Sequence, residues 1–296
     1  MQMIVPERMD GKTLFQVLTQ SSEDVPQWAV KQALQNRDVR VDGVRVSDGG
    51  LRVRQGQEIR AYWPKSAMVA RDELAAKPLE IVYEDAHVLV AVKPQGLASQ
   101  DEDDPLKGDT ALTRAIAHLK AAGEETDCVR LCHRLDVQTG GLLLMTKDAA
   151  AYESAVQAFA QRTFRKFYIC LVKGCPSQRE AVMHAYLRKD AELARVSVTD
   201  HPAPGAVQIA TAYRVLESGE HARLEVELLT GRTHQIRAHL SHIGHPILGD
   251  DKYGDRMLNR RLDLRRQQLW ATRLIVQAEG ALAYLNGRCF ECKCPF

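Results

Sequence analysis

Near the N-terminus the apolar positions recur first at helical and then at alternating spacing. Leu14, Val17 and Leu18, then Trp28, Val30 and Leu34, mark two helices, and Val39-Arg40-Val41 and Val44-Arg45-Val46 alternate about the turn pair Asp42-Gly43. Two helices leading into a hairpin predict a small unit over residues 1–64. Residues 65–78 turn polar and alanine-rich between two prolines, which predicts a linker that lets the small unit move. Beyond it, β-branched and apolar runs at 79–83 and 88–92 predict two strands, the second ended by Lys93-Pro94-Gln95-Gly96. A helix follows over 110–122, capped by Asp109 or Thr110 and presenting Leu112, Ala115, Ile116 and Leu119 on one face. The pattern then predicts strand 141–146, helix 149–161, strands 167–172, 182–187, 207–215 and 223–229, and helix 233–243, with 274–277 and 282–285 closing the sheet. Strands linked mostly as hairpins, with few helices, make 79–296 an α+β domain built on a mixed, mostly antiparallel sheet with flanking helices.

Composition narrows the class without naming a function. At 296 residues, with 45% hydrophobic and 26% charged, the chain can bury one large core and a smaller one. No apolar run approaches a membrane span, and the N-terminal residues lack the pattern of a secretory signal, so a cytoplasmic location is expected. Seven cysteines, an odd number, fit reduced thiols better than a disulfide framework. A net charge of only +2 means that nucleic-acid binding must be argued from patches. One such patch is Arg256 to Arg266, five arginines against one aspartate, with Leu258, Leu262 and Leu269 at roughly helical spacing. It predicts a helix with a basic face.

Candidate chemistry gathers in two glycine-flanked runs. In His133-Arg134-Leu135-Asp136-Val137-Gln138-Thr139-Gly140-Gly141, Asp136 stands at a turn just before a strand that must be buried, and a carboxylate there needs a cation or donors. Gly231-Arg232-Thr233-His234-Gln235-Ile236-Arg237 offers the cation far downstream. With Tyr168 inside an apolar strand, Asp136 and Arg237 make a nucleophile or base, a ring platform and a charge partner. His234, His239, His242 and His245 raise the question of zinc, as do Cys289, Cys292 and Cys294. No glutamate stands where a metallohydrolase needs it, and Gly244-His245-Pro246 breaks the helix, so no metal is expected. The acidic run Asp101-Glu102-Asp103-Asp104 reads as a solvated loop.

His133-Arg134-Leu135-Asp136, Arg165-Lys166-Phe167-Tyr168, Gly231 to Leu240, Gly244-His245-Pro246-Ile247 and Gly249-Asp250 closely resemble, in order, the RluA-type RNA pseudouridine synthases, and Lys93 to Leu97 resembles their first motif. The likeness runs from about Leu79 to near the C-terminus. Residues 35–43 and 51–59 resemble the S-four type, or αL-motif, RNA-binding domain, an arrangement found in members that modify large-subunit ribosomal RNA; a small helical capping domain is the plain alternative. Carried over by position, the resemblance implies a sheet of the pseudouridine synthase type, with Asp136 the nucleophile, Tyr168 the ring that stacks on uracil and Arg237 the cation paired with Asp136. That pairing suits a dry pocket, where desolvation alone would neutralise a carboxylate. The chemistry detaches uracil from ribose, rotates it and rejoins it through carbon, which requires the base to be flipped out, whether the carboxylate attacks ribose or base. The expected RNA contacts are His133, Arg134, Arg165, Lys166, Arg232, His234, Arg260 and Arg261. Two departures stand out: Gly140 where the family usually has Ser, and Leu269-Trp270-Ala271 in place of Leu-His-Ala.

The chain is therefore expected to be a monomeric, cofactor-free isomerase acting on structured RNA, ribosomal RNA first and transfer RNA as the alternative. A non-catalytic RNA-binding assembly factor and a zinc hydrolase are the competing classes.

Overall fold

The computed structural model describes residues 1–22, 25, 27–63, 78–101, 108–190 and 195–296, with only the backbone of Gln27 and Trp28. Residues 65–77 of the expected linker, and Glu102, Asp103 and Asp104 of the acidic run, lie outside the described residues. The chain divides into two compact units, Met1–Pro78 and Leu79–Phe296.

In the first unit, β1 (Gln2–Ile4) precedes α1 (Leu14–Ser21), which starts at a reciprocal cap: Thr13 Oγ1 accepts the Gln16 N–H and Gln16 Oε1 accepts the Thr13 N–H. Two donors that a helix start leaves unpaired are thus satisfied. After α2 (Gln27–Gln35), strands β2 (Val39–Val41) and β3 (Val44–Val46) form the expected hairpin, with Asp42 and Gly43 at φ 49° and 77°, as a two-residue turn requires. Strand β4 (Glu58–Ala61) pairs with both β1 and β2, giving the antiparallel order β1-β4-β2-β3. Leu14, Leu18, Val30, Leu34, Val39 and Ile59 fill its core.

The second unit is built on one sheet. Its strands are β5 (Glu80–Glu84), β6 (Val88–Lys93), β7 (Arg130–Leu131), β8 (Gly140–Thr146), β9 (Arg165–Lys173), β10 (Glu180–Asp190), β11 (Arg195–Thr199), β12 (Val207–Glu217), β13 (His221–Leu228), β14 (Leu269–Ile275) and β15 (Cys289–Glu291). They lie in the order β11-β10-β12-β13-β9-β14-β8-β6-β5, with β15 added on β14 and β7 on β8. Among the described residues every pair of these strands is antiparallel except β14 with β8, which meet in parallel at Trp270 opposite Gly140 and Ala271 opposite Gly141. The α+β class with a mixed, mostly antiparallel sheet is what the sequence predicts.

Strand β8 is apolar at nearly every position because both of its faces are covered. Leu143 and Met145 pack in the layer of Leu112, Ala115 and Leu119 from α3 (Ala111–Ala121). Leu142 and Leu144 pack in the opposite layer with Ala151, Ala155 and Ala158 from α4 (Ala149–Gln161). Helices α5 (Gln235–His242) and α6 (Arg256–Arg261) follow β13.

The structure corrects the pattern in three places. Residues 282–285 belong to a 3-10 turn, Gly280–Leu285, not to a strand; Leu282 and Leu285, three apart, bury the same side of it. The sheet gains β7, β11 and β15, which are short segments with little periodicity to reveal them. The basic helix stops at Arg261, with Asp263 at φ 47°, and Leu269 opens β14 instead of extending the helical face.

Helix α3 is started by a second reciprocal cap, Thr110 Oγ1 accepting the Thr113 N–H at 3.1 Å and Thr113 Oγ1 accepting the Thr110 N–H at 2.9 Å. Thr110→Ala is expected to lower the unfolding free energy by about 1 kcal/mol, measured by urea denaturation, since it removes one half of the cap.

Candidate active site

Asp136 lies in the loop between β7 and β8, and the segment after β6 shapes that loop. Lys93 ends β6 fully buried, and its Nζ donates to three carbonyls, Leu97 at 2.7 Å, Pro94 at 3.1 Å and Val137 at 3.1 Å. Burial pulls the Lys93 pKa down to about 7, while the charge of Asp136 and three carbonyl acceptors favour the ammonium form. The Gly96 N–H donates to the same Val137 carbonyl, and Gln95 Nε2 donates to the Gln138 and Gln267 carbonyls. One residue before Asp136, Leu135 exchanges two bonds with the Ser99 hydroxyl. The carboxylate is thus carried on a loop whose carbonyls are held on both sides.

Arg237 arrives from α5, 101 positions later, and its side chain is only 5% exposed. Nη1 donates to Asp136 Oδ2 at 3.0 Å. Nε and Nη2 donate to the two oxygens of the fully buried Asp250 at 2.6 and 3.0 Å, and Nη2 reaches Asp251 Oδ1 at 3.3 Å. Burial on its own would lower the Arg237 pKa; the bonds and charge of Asp250, then those of Asp136, reverse this and raise it. Asp250 also accepts the backbone N–H groups of Lys252 and Tyr253, and although burial opposes ionisation, Arg237 and these donors hold its pKa below the usual carboxylate range. A buried guanidinium that meets one carboxylate fork-on-fork and keeps an Nη for a second is geometry that lysine does not supply.

Around this pair stand two rings. Tyr168, on β9, is buried, and burial first, then the charge of Asp136, raises its phenol pKa above the ordinary value. His234, at φ 53° at the start of α5, brings Nε2 to 3.9 Å from Asp136 Oδ2 and shares a 2.9 Å hydrogen bond between Nδ1 and the Tyr253 hydroxyl. Burial keeps His234 below its ordinary pKa, partly offset by Asp136. Tyr253 in turn accepts the Val196 N–H, and the guanidinium carbon of Arg237 lies 5.2 Å from its ring centroid. Asp136, Tyr168, Arg237 and His234 therefore converge as one cluster. Asp250 and Tyr253 complete it; the sequence shows Asp250 beside Gly249 but no signal that it grips the same arginine.

Against known proteins, residues 87–242, more than half of the chain, match the RNA pseudouridylate synthase family. The chain belongs to this family. Its relatives include the ribosomal large subunit pseudouridine synthase C of Vibrio parahaemolyticus, 32% identical over 93% of this chain and 85% of that protein. The Escherichia coli K12 protein of the same name is 31% identical over 85% of this chain and 79% of its own length. An uncharacterized RNA pseudouridine synthase of Bacillus subtilis is 30% identical over 88% and 85%. In fold, the synthase resembles human RNA pseudouridylate synthase domain containing 4, with a TM-score of 0.60 at 24% identity, covering 77% of this chain and 92% of that one.

The remaining expected contact residues of this pseudouridine synthase divide into outward and inward groups. Arg134, Arg232, Arg260 and Arg261 are exposed, Arg261 beside Glu220 at 3.2 Å. Arg165 is exposed and forks onto Glu227, and Lys166 lies 5.1 Å from the Phe159 ring centroid. His133 turns inward: its Nε2 accepts the Leu144 N–H at 3.2 Å and its ring packs on Phe159. His239 and His242 do not share a ligand site, the first bonding Thr211 and the second Asp200, and among the described residues no three His, Cys, Asp or Glu side chains converge to hold a metal. All seven cysteines are free. Among the described residues no helix is long and apolar enough to cross a membrane.

The His133 bond requires a neutral ring. Burial, then Lys166, pushes the His133 pKa down to about 3, below the value of roughly 6.5 expected in the unfolded chain. Between those values only the unfolded chain takes up the proton, so stability present above pH 6.5 is lost as pH falls toward 3, by up to about 1.4 kcal/mol per pH unit. His133→Gln, whose amide oxygen accepts the same N–H without titrating, is expected to flatten the fall in melting temperature between pH 6.5 and pH 4 relative to the native protein.

Proposed function

We propose that this pseudouridine synthase acts on ribosomal RNA, with Asp136 as nucleophile, Arg237 as its counter-ion and Tyr168 as the ring beneath the extruded uracil. The observation that carries the reading is the 3.0 Å pair between Arg237 and Asp136, with the buried Tyr168 near enough to feel the charge of Asp136. Isomerisation breaks the bond between ribose C1′ and uracil N1, turns the base, joins C1′ to C5, gives up the C5 proton to solvent and takes one proton from solvent at N1. Atoms balance without a redox partner, so the work that remains for the protein is a charged nucleophile, a surface on which the ring can turn, and exclusion of water. Those are the properties of a carboxylate held by a guanidinium next to an apolar ring. Flipping the uridine out of its stack precedes all of this.

Ribosomal RNA as substrate is supported by the relatives named for the large ribosomal subunit. Residues 1–64 we read as an αL-type RNA-binding domain, joined through 65–78 to the catalytic domain at 79–296. The exposed Arg37, Arg45, Arg52 and Arg54 around the β2–β3 hairpin support that reading, since phosphate contacts are made by such side chains. We read the synthase as working as a cytoplasmic monomer without a cofactor.

Asp136→Asn is expected to keep the fold and to lower pseudouridine formation on unmodified large-subunit ribosomal RNA by more than about 1,000-fold, the scale set by loss of a covalent nucleophile. Formation at the native rate would assign the nucleophile elsewhere, and turnover on transfer RNA alone would replace the substrate. For the basic helix, the arginine-to-alanine pair Arg256→Ala and Arg260→Ala is expected to weaken ribosomal RNA binding and to flatten the plot of log affinity against log salt by about one unit for each phosphate no longer neutralised. An unchanged slope in filter binding would take α6 out of the interface.

A further inference from the structure

Gly140 and Trp270, which come from segments far apart in the chain, are partners in space. They face each other across the parallel pairing of β14 with β8. A Cβ placed on Gly140 would stand 2.1 Å from Trp270 Cζ3, 2.5 Å from Cε3 and 2.6 Å from Cη2. All three atoms belong to the six-membered ring of the indole, so any side chain at 140 collides with that ring. The ring has nowhere to retreat, because it is 9% exposed within the layer of Leu142, Leu144, Leu274 and Phe290. Histidine, with a single five-membered ring, lacks the colliding atoms.

The same short stretch before β14 touches the loop of Asp136 twice more. Gln267 Nε2 donates to Thr139 Oγ1 at 2.6 Å, and Gln95 Nε2 ties the Gln267 carbonyl to the Gln138 carbonyl. Residues 267–270 therefore lie against 138–140 as a template, and Asp136 is one turn away, its own carbonyl accepting the Thr139 N–H at 3.0 Å. We propose that Trp270 is a positioning residue, its indole seated in the space left by Gly140 so that the start of β8, and with it the reach of the Asp136 carboxylate toward the reacting uridine, is set by the fit of this pair.

The proposal rests on Asp136 being the nucleophile, and its test separates the two. Steady-state pseudouridine formation on unmodified large-subunit ribosomal RNA is measured for the full chain, for Gly140→Ala, Trp270→His and the double variant, with Asp136→Asn as the reference and melting temperature as the fold check. Gly140→Ala is expected to reduce kcat about 100-fold, the cost of a misplacement near 1 Å, with KM held within about twofold. In the double variant, kcat is expected to return to within about threefold of the full chain, a coupling between neighbours that independent sites do not show. If Gly140→Ala fails to fold, the double variant decides alone: folded and active supports the fit, folded and inactive overturns it. A native kcat for Gly140→Ala, or a double variant no better than Gly140→Ala, overturns the proposal while an inactive Asp136→Asn leaves the nucleophile standing. An active Asp136→Asn removes the reading beneath it.

Discussion

One guanidinium in a nearly dry place shapes the site. Arg237 is enclosed, and a cation there is costly unless each side of the fork meets an acceptor. Asp250 takes two of its donors and is itself fixed by two backbone N–H groups, so the arginine has a permanent partner before RNA arrives. The remaining Nη is aimed at Asp136, which is the more exposed carboxylate, 23% against 0% for Asp250. The two acids therefore have different work. Asp250 holds the cation, and Asp136 takes its remaining donor on a more exposed side chain.

The consequences spread through the surrounding loops. Asp250 is reached by the chain only because Gly249 passes tightly over Arg266 and Gln267, where a Cβ would meet the Arg266 carbonyl oxygen. Asn259, on α6, donates to the Asp250 carbonyl at 2.9 Å and accepts the Gly249 N–H at 2.7 Å. The basic helix is thereby anchored to the backbone that carries the arginine's partner. Tyr253 closes the other side, joining His234, Val196 and the face of Arg237. On the side of Asp136, Lys93 and the residues after it do the corresponding work by donating to loop carbonyls, and a buried lysine is tolerated there because it has three of them to bond.

Local pattern accounts for most of the elements. Helix 149–161 and the hairpin about Asp42-Gly43 follow directly from capping, period and turn chemistry, and β8 from an uninterrupted apolar run. The failures are equally local. Leu282 and Leu285 are as compatible with a 3-10 turn as with a strand, and Leu269 satisfies a helical spacing although it belongs to a sheet. His133 is the instructive side chain, since a polar residue next to Arg134 in a charged run looks outward in sequence, yet its ring serves the Leu144 N–H.

The sequence by itself determined the fold class, most of the elements and, through three ordered motifs, the family, because periodicity, turn residues and motif spacing are written along the chain; it also pointed to Asp136, Tyr168 and Arg237, which the fold brings near one another. Which second acid holds Arg237, which lysine braces the loop of Asp136 and why residue 140 must be glycine were decided only in three dimensions. Each depends on atoms brought together from distant segments, where burial makes an unpaired charge or an extra methyl group expensive. Nothing in the local order of residues encodes that neighbourhood.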